Sequence, residues 1–409
     1  MKLKGSFVQS WFCCNFDNER WNDEFNQMKA LGMDTLILAD IFGQTKEGLW
    51  QGYFQYQSDQ IQFDVLNDTV LTNAFEAAKR NDIKIFLGTG SYDLWWGFKP
   101  QTKKIEEFYK TACDLIEHLN TTICNEYKEN FAGWYFVPEI ANSPTIKGNK
   151  NVLNSMNILI DKLNVISPDK PLMLSPYFTK YFASSLKKME KQWVKILSNV
   201  NFRKFDILCP QDAIGSGWIN FEDFDKVMQM YKRAIKKSNR EILFWINCEN
   251  FSQPHKGVLF FPKKTHITNF IPAPINRFAK QIKMSEKYTD TIITFSFNHY
   301  YSKNNTNINF YNAILHYIQN GVIQKSGLNL LESTKNYNDK NNITTLHIVD
   351  DENKFVNCTI YCNGKFVKRF DCNLVKNAVM EKDFSINKNG RIFIECEDAF
   401  GNVYSNTIK

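Results

Sequence analysis

The sequence predicts a (β/α)₈ barrel followed by a small C-terminal all-β sandwich, and three observations carry this prediction. Over the first three-quarters of the 409 residues, short apolar runs alternate with longer segments of helical periodicity. Eight strand–helix units can be counted, which is the number that closes a parallel barrel. After residue 342, short alternating runs follow one another without helical segments between them.

The first unit shows how the elements are assigned. A strand is expected at Gly5–Phe12, and a helix over Arg20–Leu31, where large apolar residues recur at spacings of four, three and three. Gly32 is the expected left-handed stop. The same criteria place further strands at Thr35–Ala39, Ile83–Leu87, Gly133–Val137, Pro171–Ser175, Asp206–Cys209, Ile242–Asn247 and Thr291–Phe297. They place further helices at Val70–Asn81, Lys103–Lys128, Val152–Asn164, Ser184–Leu197, Phe221–Lys237, Ile275–Tyr288 and Phe310–Gln319.

An open, doubly wound sheet is the alternative architecture. Its Gly-x-Gly-x-x-Gly phosphate loop is absent after the first strand, which favours the barrel. The barrel is therefore assigned to residues 1–324. The polar stretch 325–342 is expected to be a linker.

Residues 343–409 are expected to form the β-sandwich. Asn363-Gly364, between two of its alternating runs, is a two-residue hairpin signal. The strands are predicted at Thr344–Val349, Phe355–Tyr361, Phe366–Phe370 and Arg391–Glu395. The segment Ile394–Asn402 resembles the closing strands of bacterial immunoglobulin-like domains, which implies an immunoglobulin-like accessory domain.

Composition and charge exclude several classes of protein. With 43% hydrophobic and 23% charged residues, the chain is a folded globular protein rather than a disordered one. The net charge of +7 is spread thinly and accompanies no nucleic-acid module, so no nucleic-acid partner is expected. No apolar run reaches the length of a membrane span. The start lacks the apolar segment of a secretory signal, which favours a cytoplasmic location as the sequence stands; a secreted or cell-surface location stays open if an upstream segment was removed.

Metal and cofactor chemistry find little support in the sequence. The ten cysteines include no Cys-x-x-Cys pair and do not have the density of a disulfide scaffold. The six histidines include no His-Glu-x-x-His run, and no Gly-x-Ser-x-Gly elbow appears. We therefore expect no metal and no cofactor. The sequence does not indicate the oligomeric state.

In a barrel enzyme, the informative side chains lie at the carboxyl ends of the strands. In this sequence those ends carry acids, amides and aromatic residues, a lining that suits a polyhydroxylated ligand such as a carbohydrate. The predicted substrate-binding residues are Gln9, Trp11, Asp40, Tyr92, Trp95, Asn142, Tyr177, Gln211, Asp212, Trp218, Asn247, Asn298 and Tyr300. Flat stacking platforms for sugar rings are expected among Trp95, Trp96, Trp218 and Trp245, although each is also a candidate packing residue.

Two carboxylates are the candidate catalytic pair. Glu139 ends the fourth apolar strand and Glu249 the seventh, and these strands face each other across an eight-stranded barrel. Retaining glycoside hydrolysis needs two such acids on either side of one bond, one donating a proton and one attacking. The alternative is that each Glu pairs with a cation inside the rim. Asp212 is the reserve second acid, and His299 is a possible assistant.

Four segments resemble a largely uncharacterised bacterial barrel family grouped with the glycoside-hydrolase barrels. They are Gly-Ser-Phe-Val-Gln-Ser-Trp, Met-Lys-Ala-Leu-Gly-Met-Asp-Thr-Leu-Ile-Leu, Gly-Trp-Tyr-Phe-Val-Pro-Glu and Pro-Gln-Asp-Ala-Ile-Gly, and the resemblance covers about residues 5–320. The layout is also similar to the large clan of retaining barrel glycosidases, which implies that Glu139 is the acid/base and Glu249 the nucleophile. Pro138 is a departure, since that clan usually has Asn before the strand-four Glu.

Three functions follow in order of preference. The first is a glycosidase acting on a polysaccharide or oligosaccharide by a retaining two-carboxylate mechanism. The second is a non-catalytic glycan-binding barrel protein. The third is a non-hydrolytic barrel enzyme, such as a lyase or an isomerase.

Overall fold

The computed structural model describes residues 2–96, 102–141, 146–178, 185–253, 257–258, 261–262, 270–321, 328–338, 343–350, 352–372, 379–384 and 390–408. The chain divides into two compact units. The first comprises Met1–Asn250, Gly257–Phe261 and Gln281–Asn298. The second comprises Phe251–Lys256, Pro262–Lys280 and His299–Lys409.

A parallel sheet organises the first unit. Its strands are β1 (Leu3–Gln9), β2 (Thr35–Ala39), β3 (Lys84–Gly88), β4 (Phe131–Phe136), β5 (Leu172–Leu174), β6 (Ile207–Leu208), β7 (Leu243–Phe244 and Ile246–Glu249) and β8 (Ile292–Phe295). Each strand from β1 to β7 pairs with the next in chain order, and β8 returns to pair with β1. The sheet therefore follows the strand order of a (β/α)₈ barrel.

Strand β7 closes the ring, because its two segments pair on opposite sides. Leu243–Phe244 pairs with β6, and Ile246–Glu249 pairs with β8. The residue between the segments, Trp245, donates its backbone N–H to Leu208 at 3.0 Å. The N–H of Asn247 likewise reaches Pro210 at 2.9 Å. The eight strands thus form one closed, TIM-barrel-like sheet.

The helices agree with the predicted pattern. They are α1 (Asn18–Ala30), α2 (Thr69–Asn81), α3 (Thr102–Leu119), α4 (Ile146–Ile166), α5 (Leu186–Asn199), α6 (Phe221–Ser238), α7 (Ile275–Ser285) and α8 (Ile308–Asn320). Asp17 caps α1 by accepting a hydrogen bond from the N–H of Arg20. Gly32 has a φ of 77°, which confirms the predicted left-handed stop.

Several element boundaries differ from the prediction, and two of the differences have a local cause. β1 ends at Gln9, and a helical turn over Ser10–Cys13 follows, because the Ser10 hydroxyl donates to the carbonyl of Ala39 at 2.5 Å and turns the chain. The helix expected over Lys103–Lys128 ends at Leu119 and continues as a wider, π-type turn over Asn120–Cys124. There the hydroxyls of Thr121 and Thr122 bond to preceding backbone carbonyls and compete with the helix ladder.

The barrel interior is a packed core. Its buried cluster draws on alternate residues of the strands and includes Phe7, Ile37, Ala39, Phe86, Tyr135, Met173, Ile207, Cys209 and Ile293. Trp245 of β7 packs against the same cluster, with its ring 6.0 Å from that of Phe86. Because strand side chains alternate, these residues define the inward face of every strand up to the rim.

A small second sheet covers part of the rim. Its four strands lie in the order Phe63–Val65, Trp50–Gly52, Phe42–Gln44 and Ser91–Tyr92. Trp50 and Tyr92 both stack on Phe108 of α3, at centroid distances of 5.0 and 4.8 Å. Phe42–Gln44 lies so close to Ser91 that a Cβ on Gly43 would clash with the Ser91 hydroxyl. We call these four strands the rim sheet.

Besides the paired segments Phe251–Ser252 and Ile271–Pro272, the described part of the second unit contains two larger sheets. Five strands run in the order Leu328–Leu330, Val403–Ile408, Ile392–Asp398, Phe355–Cys362 and Lys365–Asp371, and three in the order Ser333–Asn338, Ile343–Val349 and Val379–Phe384. One buried cluster joins Leu346 and Ile348 of the second sheet to Ile360 and Ile394 of the first. Asn363 and Gly364 have φ angles of 50° and 74°, which confirms the predicted hairpin turn.

The stretch expected to be a linker contains strands where the structure describes it. Leu328–Leu330 pairs with Val403–Ile408, and Ser333–Asn338 pairs with Ile343–Val349. Alternate residues of Ser333–Asn338 are exposed, so an edge strand carries the polar composition that favours a linker. Within the described residues, no helix has the length and apolar character needed to cross a membrane.

Candidate active site

Strand alternation places both candidate glutamates on the inward register. Glu139 follows the interior residue Tyr135 by four positions, and Glu249 follows Trp245 by four. The side chain of Cys248, which precedes Glu249, points away from the barrel interior, since its sulfur contacts the hydroxyl of Ser285 on α7 at 3.2 Å. The predicted acids therefore continue the barrel interior upward to its rim.

Glu139 lines a cavity of about 340 Å³ at this rim. Gln9 and Asp40, from the ends of β1 and β2, share the cavity wall with Tyr92 and Trp95. The indole N–H of Trp95 donates to the backbone carbonyl of Glu139 at 3.0 Å and fixes the strand end. Five of the predicted site residues are thus brought together around one space.

The surroundings of Glu139 favour its neutral form. Burial raises the pKa of the Glu139 carboxyl, and the nearby charge of Asp40 raises it further. A hydrogen bond from Gln211 Nε2 to Glu139 Oε1, 2.9 Å long, acts in the opposite direction. A carboxyl group with a raised pKa in a cavity has the property required of a proton donor.

Asp40 is a second acid in the same cavity. Its backbone has a φ of 55°, in the left-handed region that Asp tolerates better than most residues. Burial raises the pKa of the Asp40 carboxyl, and a hydrogen bond from Gln9 partly opposes this effect. The charge of Asp40 also contributes to the raised pKa of Glu139, so the two carboxyls belong to one electrostatic site.

A chain of hydrogen bonds leads from Glu139 toward β7. Gln211 Nε2 donates to Glu139 and also to the carbonyl of Ser175, at 3.1 Å. The hydroxyl of Ser175 accepts from Asn247 Nδ2 at 3.2 Å, two residues before Glu249. Among the described residues, the buried Oδ1 of Asn247 has no hydrogen-bond partner.

Glu249 is held by the loop that follows β6. One oxygen of its carboxylate accepts from the backbone N–H of Ser216 at 2.6 Å, and the other from the Ser216 hydroxyl at 3.2 Å. Glu249 is only 3% exposed, and the described lining of the cavity at Glu139 does not include it. These two hydrogen bonds fix the direction of the Glu249 carboxylate.

Two predicted substrate-binding residues point elsewhere. Asp212 follows the inward Gln211, and its fully buried carboxylate accepts from Gln281 Nε2 of α7 at 2.6 Å. Asn298 is also fully buried and donates to Glu24 of α1 at 2.8 Å. The prediction that these two side chains line the ligand site is corrected, since both join the strand ends to the surrounding helices.

Most of the remaining predicted residues lie away from the cavity at Glu139. Tyr177 lies near Glu139, since its backbone N–H donates to the carbonyl of Ile140 at 3.2 Å. Burial and the charge of Glu139 raise the pKa of its phenol to about 12. Trp245 packs in the barrel interior, so it offers no platform at the rim. Trp218 is partly buried beside the Ser216 turn, and Tyr300 belongs to the second unit, where it contacts Phe251. Asn142 and the side chain of Trp96 lie outside the described residues.

The sequence reasoning missed two residues of the rim. Ser91 lines the cavity at Glu139, and Ser216 binds Glu249. Ser91 follows a strand end by only three residues, which was the available signal. Ser216 sits in a glycine-flanked turn with no pattern of its own. Among the described residues, no three His, Cys, Asp or Glu side chains converge as a metal site would require.

A family model described as a domain of unknown function, DUF4434, matches residues 3–307. This confirms the predicted resemblance to an uncharacterised barrel family. No curated protein matches the chain.

Among solved structures, the endo-β-1,4-mannanase from Thermotoga petrophila matches with a TM-score of 0.50 and 11% identity, covering 100% of this chain and 97% of that chain. A GH18 chitinase from Pseudoalteromonas aurantia matches with a TM-score of 0.42 and 14% identity, over 78% and 100% of the two chains. A glycoside hydrolase family 5 protein from Bacteroides vulgatus ATCC 8482 matches with 0.43 and 9%, over 95% and 88%. At these identities the likeness to the mannanase shows the fold alone.

Proposed function

We propose that this chain, which belongs to the DUF4434 family, is a glycoside hydrolase that cleaves a polysaccharide or oligosaccharide with Glu139 as its proton donor. The observation that carries the proposal is the raised pKa of Glu139 in a cavity lined by acids, an amide and aromatic rings. Such a lining suits sugar hydroxyls and ring faces, and a carboxyl with a raised pKa suits proton transfer to a leaving oxygen.

The proposed second catalytic carboxylate is Glu249. Protonated Glu139 gives its proton to the glycosidic oxygen while ionised Glu249 attacks the anomeric carbon, so that the carbon–oxygen bond breaks and a glycosyl ester forms. Water then loses a proton to Glu139 and displaces Glu249, which restores both carboxyls and retains the configuration. The inward register of both residues and the hydrogen bonds from Ser216 to Glu249 support this assignment.

The remaining finer assignments are proposals as well. Gln9, Asp40, Tyr92, Trp95, Tyr177, Gln211 and Asn247 are proposed to bind the substrate. Residues 1–324 are proposed as the catalytic domain and 343–409 as an immunoglobulin-like accessory domain. The two sheets that share one buried cluster support a sandwich there.

Release of reducing sugar ends from a panel of polysaccharides tests the proposal. Hydrolysis of at least one α- or β-linked glycan by the purified full chain is expected, with loss of that activity in Glu139→Gln. Binding of a glycan without any hydrolysis would instead support the non-catalytic alternative. Product formation that needs an added cofactor would favour a lyase or an isomerase.

Two substitutions beside Glu139 are expected to shift the pH profile in opposite directions. The rate falls as pH rises through the pKa of the proton donor, because the deprotonated form cannot protonate the leaving oxygen. Asp40→Asn removes a negative charge that raises the pKa of Glu139, so the fall of the rate at alkaline pH, the alkaline limb of the pH profile, should move to lower pH. Gln211→Leu removes a hydrogen bond that lowers this pKa, so the limb should move to higher pH.

The profile of kcat/KM against pH, recorded for both variants and the wild-type chain, measures these shifts. Shifts of the same sign in both variants would show that a group other than Glu139 sets the alkaline limb.

A further inference from the structure

A second cavity adjoins the one at Glu139. It has a volume of about 310 Å³ and shares Asp40, Ser91 and Asp93 with the first. Each volume falls at the lower end of the range for small-ligand sites, about 300–1,000 Å³. The shared residues make the two spaces consecutive parts of one cleft along the rim of the first unit.

The rim sheet builds the second cavity. Its strand Phe42–Gln44 supplies one wall, and the neighbouring Gln51 and Tyr53 supply another. The rim sheet is fixed to the barrel by Trp50, which is 5% exposed and stacks on Phe108 at 5.0 Å with an interplanar angle of 9°. A surface held by strand pairing and buried rings is preorganised for binding.

The lining has the chemistry of a sugar site. Gln44 and Gln51, which carry amides, line the space together with Tyr53, Asp40 and Asp93. These groups offer both donors and acceptors for hydroxyls. No Lys or Arg lines either cavity among the described residues, so a strongly anionic ligand such as a phosphate ester would lack a charge partner.

Trp11 completes the second cavity with an exposed aromatic face. Its side chain is 57% exposed, although a Trp of a folded domain is usually well buried. The helical turn Ser10–Cys13, held by the bond from Ser10 to Ala39, places it at the edge of the cavity. A fixed, exposed indole beside amides and acids is suited to stack on the apolar face of a sugar ring.

We propose that the two cavities are consecutive sugar subsites, and that the substrate is an uncharged glycan chain that runs from Glu139 past Asp40 to Trp11. This inference rests on the proposed hydrolase function and adds its substrate class. A terminal mono- or disaccharide would fill only the first cavity. A chain of several units fills both, with Asp40 contacting hydroxyls at the junction.

Binding to the inactive full chain tests this arrangement apart from catalysis. In a Glu139→Gln background, Kd values are measured by calorimetry for di- and tetrasaccharides of the β-1,4-linked gluco-, manno-, xylo- and N-acetylglucosamine series. In at least one series the tetrasaccharide should bind roughly tenfold or more tightly than the disaccharide, a difference that one stacked ring and one or two hydrogen bonds supply.

Single substitutions then show which residues give the tetrasaccharide its higher affinity. Trp11→Ala and, independently, Gln51→Ala should remove most of the tetrasaccharide advantage and leave disaccharide binding unchanged, whereas Trp11→Phe should retain most of it. Gln57→Ala is the matched control, because Gln57 is an exposed amide of the same loop that does not line the cavity.

Equal affinity for the two lengths in every series, including a complete lack of binding, would overturn the proposal. So would loss of di- and tetrasaccharide binding to the same extent in Trp11→Ala. If such results accompany hydrolysis that depends on Glu139, the extended cleft is refuted and the hydrolase function stands. If the tetrasaccharide advantage is found without any hydrolysis, the cleft stands and the hydrolase function fails.

Discussion

Glu139→Gln is expected to lower kcat by about 10²–10⁴-fold, the usual contribution of a positioned general acid. Gln has nearly the same shape and keeps a polar contact with Gln211, but it carries no acidic proton for the leaving oxygen. The substitution also removes a carboxyl whose ionised form burial disfavours, so the folded state should be as stable as the wild type or more stable. Initial rates and thermal unfolding of the purified chains measure both effects.

Glu129→Gln provides the matched control. Glu129 precedes β4 at its amino end, is exposed, and has no part in the proposed site. Its rate should equal that of the wild-type chain. Full activity in Glu139→Gln would remove Glu139 from the mechanism, and comparable losses in both variants would indicate a general effect on the fold.

Glu249→Gln is expected to have the larger effect, about 10⁴-fold or more in kcat, because an amide cannot replace an attacking carboxylate. A structural role also predicts some loss, since Glu249 accepts two hydrogen bonds from Ser216. Ser216→Ala separates the two roles. It removes the hydroxyl contact but leaves the carboxylate, so it should cost far less activity than Glu249→Gln.

Chemical rescue distinguishes more sharply between a nucleophilic and a purely structural role of Glu249. In Glu249→Ala, azide should enter the space left by the carboxylate and yield a glycosyl azide of inverted configuration, which NMR of the product identifies. A purely structural Glu249 predicts no azide product and a fall in thermal stability that accounts for the lost activity.

The barrel was predictable because its signals are local. Thr35–Ala39 is an uninterrupted apolar run between a turn and an acid, and the structure has the same strand. The helix beginning at Phe221 follows Asn220, which caps it through the N–H of Asp223. The count of eight units then fixed the strand order, because parallel strands joined by helices close into a barrel at that number.

Side-chain direction was harder to predict than element type. Gln211 and Asp212 are neighbours with similar chemistry, but strand alternation turns one into the barrel and the other toward α7. Asn298 is directed to Glu24, which is distant in sequence, so no local pattern indicates it. The position of Trp245 was equally hard to predict, since a Trp in the barrel interior and a Trp that forms a stacking platform at the rim have the same sequence signature.

The rim sheet lay beyond sequence reasoning for a different reason. Its strands have two or three residues each, shorter than any run in which alternation can be recognised. In the sequence, Gly43–Asn67 therefore resembles a long loop after the second strand, and such a loop is expected to shape the cleft. That it does so as a sheet, with Asp40 meeting residues of Phe42–Gln44, became visible only in the folded chain.

The most direct test of proton donation by Glu139 asks whether the loss of kcat/KM on removing Glu139 depends on the leaving group of the substrate. kcat/KM is measured for wild-type and Glu139→Ala chains on an unactivated oligosaccharide and on the 2,4-dinitrophenyl glycoside of the same sugar. The account predicts a loss of orders of magnitude on the oligosaccharide and little loss on the activated glycoside, whose leaving group departs without a proton. Equal losses on both substrates would contradict it, because they would assign Glu139 to binding or folding rather than to acid catalysis.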